Sequence, residues 1–189
     1  MTAELLLRAP NRDDEATLQQ FHEQLRAEDF SFLLAEGSWD DILSTIAREA
    51  RGIDLPPDRV RAEFLIAEVA GQPVGRTSIR YELNDFVFEF GGHVGYAVAP
   101  EFRRRGYAQQ ILTRSVERLR SAGVESVLVT CDETNIASAS VIERRGGVLE
   151  DVRDNSDGPP KRRYWIGADS GFPQSASTVS TSAALTADQ

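Results

Sequence analysis

Leu5, Leu6 and Leu7 form a short apolar run that Pro10 ends, which predicts a first strand. From residue 12 to 27 the apolar period lengthens to that of a helix, with Leu18, Phe21, His22 and Leu25 on one face. Ser38, with Asp41 three positions on, resembles a capping box and predicts a helix over 39–51, stopped by Gly52. Two β-rich segments follow, at 62–70 and 73–83, with Gly71 and Gln72 between them as a tight hairpin turn. A further strand is predicted at 92–99, ended by Pro100.

A long helix is predicted at 104–122, with Ala108, Ile111, Leu112, Ser115 and Leu119 inward and Gly123 at its end. Val124 to Cys131 is apolar and β-branched, the pattern of a buried strand. A short helix over 136–145 closes at Gly146 and Gly147. Val148–Val152 and Arg163–Ile166 read as a last strand pair around the turn at 155–160. The order β-α-α-β-β-β-α-β-α-β-β predicts an α/β fold built on a mixed sheet. Residues 170–189 hold no Lys or Arg and are dominated by Ser, Thr and Ala. Such a segment buries too little apolar surface to offset its ordering entropy. The expected division is a domain over 1–168 and a disordered tail over 169–189.

The chain has 189 residues, 41% hydrophobic and 27% charged, enough for one domain with its own core. No apolar run approaches the ~20 residues of a membrane span, and the acidic N-terminus does not read as a signal peptide. Cys131 is the one cysteine, which excludes an internal disulfide and a cysteine-rich zinc site. A cytoplasmic location is expected, with no metal and no membrane partner. The net charge of −9 argues against nucleic-acid binding.

Against that acidic background, Arg103, Arg104 and Arg105 stand together just before Gly106, where a strand has ended and a helix begins. The first turn of a helix has unpaired N–H groups and the positive end of its dipole. Glycine lets a phosphate approach the backbone, and arginines add charge-assisted bonds to the same anion. As a mere solvated charge run, three cations here would oppose the dipole and destabilise the helix. The stretch therefore reads as a diphosphate cradle. It lacks the Lys-Ser/Thr pair of a P-loop and the glycine pattern of a Rossmann site.

Arg103, Gly106 and Ala108 resemble the R/Q-x-x-G-x-G/A motif of the GNAT superfamily of N-acetyltransferases. The strand ending at Asp132, followed by Asn135 and Ser138, resembles that family's second element, and Glu143 to Gly147 resembles its closing turn. Gly91 to Tyr96, Thr130 to Asp132 and Arg163 to Ile166 are similar to a subgroup of bacterial predicted acetyltransferases. The resemblance implies a mixed, mostly antiparallel sheet flanked by helices. It implies acetyl-CoA as co-substrate and an amine acceptor, with a homodimer as a further expectation. It places the pyrophosphate on the backbone of Arg103, Arg104, Arg105, Gly106, Tyr107 and Ala108. It places the pantetheine arm along Tyr96, Ala97 and Val98, with Asn135 and Ser138 opposite. Asn135 also reads as an N-cap for the 136–145 helix.

The sequence departs from the family where proton chemistry is usually found. Ile142 stands where many members carry a tyrosine acid, Thr130 where some carry a glutamate base, and Gly147 replaces the closing phenylalanine. A lysine-like amine of pKa ~10.4 is neutral in roughly 1 molecule in 2,500 at pH 7, so a base is expected. His93 is the first expectation, from its unperturbed pKa of ~6.5 and its place at the start of the pantetheine strand. Glu82 is the second and Asp132 a third. Tyr96 and Tyr107 are expected as packing aromatics that could also donate a proton to the thiolate. Cys131 is expected to be inert. The contrasting reading, favoured by the missing Tyr and Glu, is a non-catalytic acyl-CoA-binding regulatory module.

Overall fold

A computed structural model describes residues 4–57, 59–156, 158–167 and 172–173. Nearly all of the expected tail, over 169–189, lies outside the described residues. The strands are β1 (Leu5–Arg8), β2 (Ala62–Val69), β3 (Gln72–Arg80), β4 (Val94–Val98), β5 (Val127–Asp132), β6 (Gly147–Arg153) and β7 (Lys161–Ile166). The helices are α1 (Glu15–Arg26), α2 (Trp39–Arg51), α3 (Tyr107–Ser121) and α4 (Ile136–Arg144). The sheet runs β1-β2-β3-β4-β5-β7-β6, and its neighbours are antiparallel except for β4 and β5.

Local chemistry sets most boundaries. Ser38 and Asp41 cap α2 reciprocally, and Gly52 ends it with φ +67°. Ala70 and Gly71, both at positive φ, turn β2 into β3. Two short pieces were not expected: a π-helical turn at Val87–Gly91 and a 3₁₀ turn at Pro100–Phe102. The long helix also starts later than its expected residue 104. The chain first passes through left-handed backbone at Arg104 (φ +59°) and Gly106 (φ +81°).

Side chains alternate across the sheet. Ile79, Val94 and Val129 face α3 and α4, packing with Leu112, Val116, Leu119 and Ile142. A hydrogen bond of 2.9 Å between Thr77 and Ser115 joins β3 to α3 inside this layer. The other face carries Phe64 and Ile66, covered by α1 and the loop after it through Phe21 and Phe32. Phe32 meets Phe21 and Phe64 edge to face, at 5.6 and 6.5 Å. A third cluster, Leu83, Val87, Phe88, Leu128 and Trp165, seats the π-helical turn on that same face. Helices on both sides thus hold β4 and β5 in the middle of the molecule.

Candidate active site

The sheet is almost divided at its centre. Strands β4 and β5 pair through one parallel rung, Val94 with Val129. Just before it, the His93 N–H donates to the Leu128 carbonyl at 2.8 Å, and the Leu128 N–H donates to His93 Nδ1 at 2.9 Å. Gly92 brings the chain to this point with φ +65°, where a Cβ would lie 2.7 Å from the Leu128 carbonyl oxygen. Beyond the rung the strands part, and a cavity of about 310 Å³ opens between them.

Because Val94 pairs with Val129 on β5, Tyr96 and Val98 have the same parity and turn their N–H and C=O groups to the gap. Ala97, between them, pairs with Arg76 on β3. An extended ligand in the gap therefore meets β4 at Tyr96 and Val98. The Tyr96 side chain crosses to α4, where its hydroxyl lies 2.9 Å from Ser138 Oγ. Burial pushes the Tyr96 phenol up to about 12, so it remains an O–H donor at neutral pH. Asn135 caps α4 by accepting the Ser138 N–H at 3.0 Å while also lining the cavity. Cys131 lines the same side, and burial raises its thiol pKa, which keeps it protonated.

Beside the gap stands the arginine cradle. No side chain caps α3, and Gly106 occupies its N-cap position. The N–H groups of Tyr107, Ala108 and Gln109 thus precede the first intrahelical donor, Gln110. Arg104 is exposed. Arg103 is held by Glu28 through two bonds of 3.0 and 2.6 Å, and this pairing lowers the Glu28 pKa. Arg105 donates to the Glu101 carbonyl and lies over the Phe102 ring. Tyr107 packs partly buried against the core beneath.

The residues expected to move protons are dispersed. His93 is 0% exposed, edge-on to Trp165, and absent from the cavity lining. Burial lowers its pKa to about 3, with the positive charge of Arg80 adding to the effect. Glu82 lies exposed on the bend after β3, also outside the lining. Asp132 does line the cavity, paired with Lys161. Sequence reasoning missed Arg76, Arg80, Phe30, Leu34 and Lys161 as lining residues. Their available signal was two arginines four apart in a strand that is otherwise core.

The cavity thus has two sides. Tyr96, Cys131 and Ser138 belong to the α4 side. Arg76, Arg80 and Asp132 open on the side covered by the loop after α1 and by the π-helical turn. Among the described residues, no group of three or more His, Cys, Asp or Glu is placed to hold a metal ion. None of their helices is long and apolar enough to cross a membrane.

A sheet that parts beside an uncapped helix N-terminus defines the acyltransferase class expected from the motifs. The chain belongs to the Acetyltransferase (GNAT) domain family, whose match spans residues 4–148. It is an acetyltransferase of that family. Solved structures share the fold. RimJ of Mycobacterium smegmatis, in complex with CoA-disulfide, matches with a TM-score of 0.69 and 20% identity, over 92% of this chain and 86% of that one. RimL, a ribosomal L7/L12 alpha-N-protein acetyltransferase in complex with coenzyme A, matches with a TM-score of 0.65 and 18% identity, over 89% and 97%. YncA of Salmonella typhimurium, with acetyl-CoA, matches with a TM-score of 0.61 and 16% identity, over 91% and 98%.

Proposed function

We propose that the chain transfers the acetyl group of acetyl-CoA directly to an amine. The observation that carries this is the gap between β4 and β5 opening beside the uncapped N-terminus of α3. The N–H groups around Arg103, Arg104, Arg105, Gly106, Tyr107 and Ala108 hold the pyrophosphate. The pantetheine arm pairs with Tyr96 and Val98 across Ala97, with Asn135 and Ser138 on its other flank. Acetyl-CoA-bound YncA and CoA-bound RimL, of the same fold, support acetyl-CoA as the donor.

The donor supplies a thioester carbonyl, which the Val98 N–H polarises from the edge of the gap. The amine nitrogen forms a bond to that carbon, the carbon–sulfur bond breaks, and the sulfur leaves as thiolate. Tyr96, hydrogen-bonded to Ser138, donates its proton to the thiolate and regains one through Ser138 and solvent. The amine loses its proton, through water, to Asp132, the one carboxylate in the described lining. Asp132 lies on the opposite side of the cavity from Tyr96, which suits base and acid on opposite sides of the reacting carbon. His93, neutral and enclosed, serves to join the strands. The raised Cys131 thiol favours direct transfer over an acetyl-cysteine step.

Calorimetry with CoA, and thiol release from acetyl-CoA over an amine panel, tests the reading. Micromolar binding with amine-dependent thiol release is expected. Affinity weaker than millimolar refutes it. Binding without release on any amine favours the regulatory module, the reading to which Ile142 and Thr130 point. A cytoplasmic setting completes the proposal, supported by a single, buried, free Cys131 that needs no oxidising compartment.

A further inference from the structure

Arg76 is 4% exposed, yet among the described residues its guanidinium meets no carboxylate. It donates to three backbone carbonyls: Phe32 at 3.1 Å, Ser31 at 3.1 Å and Gly95 at 3.2 Å. Four residues on, Arg80 donates through Nη1 to the Gly91 and Gly92 carbonyls, at 3.5 and 3.1 Å. Neither forms an ion pair among the described residues. Elsewhere this protein handles such groups differently. Arg163, 0% exposed, is paired with Glu150 at 2.9 Å and with Asp151 at 3.2 Å. Arg8 is paired with Asp14 and Glu68.

The two unpaired guanidiniums lie on one face of β3 and line the same cavity. A guanidinium has five N–H donors, so each keeps some beyond those the carbonyls take. The space beside them is open. A Cβ built on Gly95 meets only Arg76 Nη1 within 4 Å, at 3.7 Å. Lys161 and Asp132 offset each other at the cavity, which leaves the lining two positive charges in a chain of net −9. Burial lowers the Arg76 pKa to about 9, and the charge of Arg80 works the same way, so an anion between them would relieve both costs. Phe30 stacks over Arg76 at 5.2 Å and, with Leu34, adds an exposed apolar wall.

We propose that the acceptor is an amine with an apolar body and a carboxylate near the amine, and that Arg76 and Arg80 bind this carboxylate. The proposal rests on the acetyltransfer reading and deepens it by naming the acceptor class. Two sources share this chemistry: a free amino acid, through its own carboxylate, and a peptide N-terminus with an acidic second residue.

Matched acceptors test it. Leucine is compared with leucinamide, and Leu-Glu-amide with Leu-Gln-amide, by thiol release from acetyl-CoA. The carboxylate member of at least one pair should have kcat/KM higher by about tenfold or more, and the pair that responds names the source. Arg80→Gln should bring that member to within about threefold of its amide partner while CoA affinity holds. Arg80→Lys should keep part of the preference, and it serves should the Gln variant fail to fold. Equal rates within both pairs, or a preference untouched in the variants, overturns the proposal. If no acceptor reacts, calorimetry with the product analogue N-acetylleucine against N-acetylleucinamide decides. Millimolar or tighter binding of the carboxylate alone upholds it, and no such preference overturns it. These titrations omit CoA, so loss of CoA binding with carboxylate binding intact sinks the donor reading alone.

Discussion

His93 and Leu128 hold each other by two hydrogen bonds, and one of them uses an imidazole where a sheet normally uses a carbonyl. The acceptor is Nδ1, so the ring must stay neutral for the clasp to form. Its pKa falls from 6.5 to about 3 on burial. The unfolded chain therefore takes up a proton at this group between those values and the folded one does not. Stability is full above about pH 6.5 and declines as pH falls, by up to about 1.4 kcal/mol per pH unit for this one group. Urea unfolding between pH 7.5 and pH 5, a range above most carboxylate titrations, should show the decline. His93→Gln, whose amide oxygen can accept the Leu128 N–H, should remove it. An unchanged slope in that variant would assign the effect to other groups.

Gly92 closes the same corner, where positive φ coincides with a Cβ position 2.7 Å from the Leu128 carbonyl oxygen. Gly71 also has positive φ, +80°, but nothing lies within 4 Å of its Cβ position. Gly71→Ala should cost about 1 kcal/mol from conformation alone. Gly92→Ala should cost clearly more, because backbone must also move. Chemical denaturation of both variants makes the comparison, and equal losses would contradict it.

Arg103 must exchange Glu28 for phosphate if it is to contact the donor. The pair is exposed on both sides, and such pairs contribute little, about 0–1 kcal/mol. Glu28→Ala should therefore tighten CoA binding slightly, by freeing the guanidinium. Replacing Arg103 and Arg105 together by Ala should weaken it by roughly 1–3 kcal/mol. Calorimetry with CoA checks both. Tightening in the double variant would exclude these side chains from the phosphate site.

Tyr96→Phe should lower kcat by about 10–100-fold and leave the CoA dissociation constant nearly unchanged. Ser138→Ala should have a smaller effect, since water can stand in for its hydroxyl. With the phenol at about 12, the alkaline limb of the wild-type kcat profile should show no loss up to about pH 10. A fall near pH 9 would assign the acid to another group.

What could be read from the sequence was set by near neighbours. The Ser38–Asp41 cap, the Gly52 stop and the Gly106 helix start each depend on residues within four positions, as does the hairpin turn, which falls at Ala70–Gly71, one residue before the expected Gly71–Gln72. The element order followed from periodicity for the same reason. The positions that escaped depend on distant partners. Glu28 and Arg103 are 75 residues apart, and His93 accepts from a residue 35 positions on. A histidine at a strand start gives no sign of which way its ring will turn. The arginines of β3 carry no local sign of the side they face: Arg76 is enclosed by the Ser31 and Phe32 carbonyls of the loop after α1, 45 and 44 positions away. The π-helical turn at Val87–Gly91 is entered through Asn84, whose Oδ1 accepts the Val87 N–H, but its side chains are held by Leu128 and Trp165 from far along the chain.

The single parallel rung makes the sheet two sheets, one of β1 to β4 and one of β5 to β7, joined at Val94–Val129 and the His93 clasp. An extended donor lying in the gap would act as an eighth strand between them. It would bridge the halves where the protein itself leaves them apart. Amide hydrogen exchange should register this as a change in cooperativity. Without ligand, the β5–β7 half should open at lower free energy than the β1–β4 half. With CoA bound, the two should exchange together, and the Tyr96 and Val98 amides should gain protection they otherwise lack.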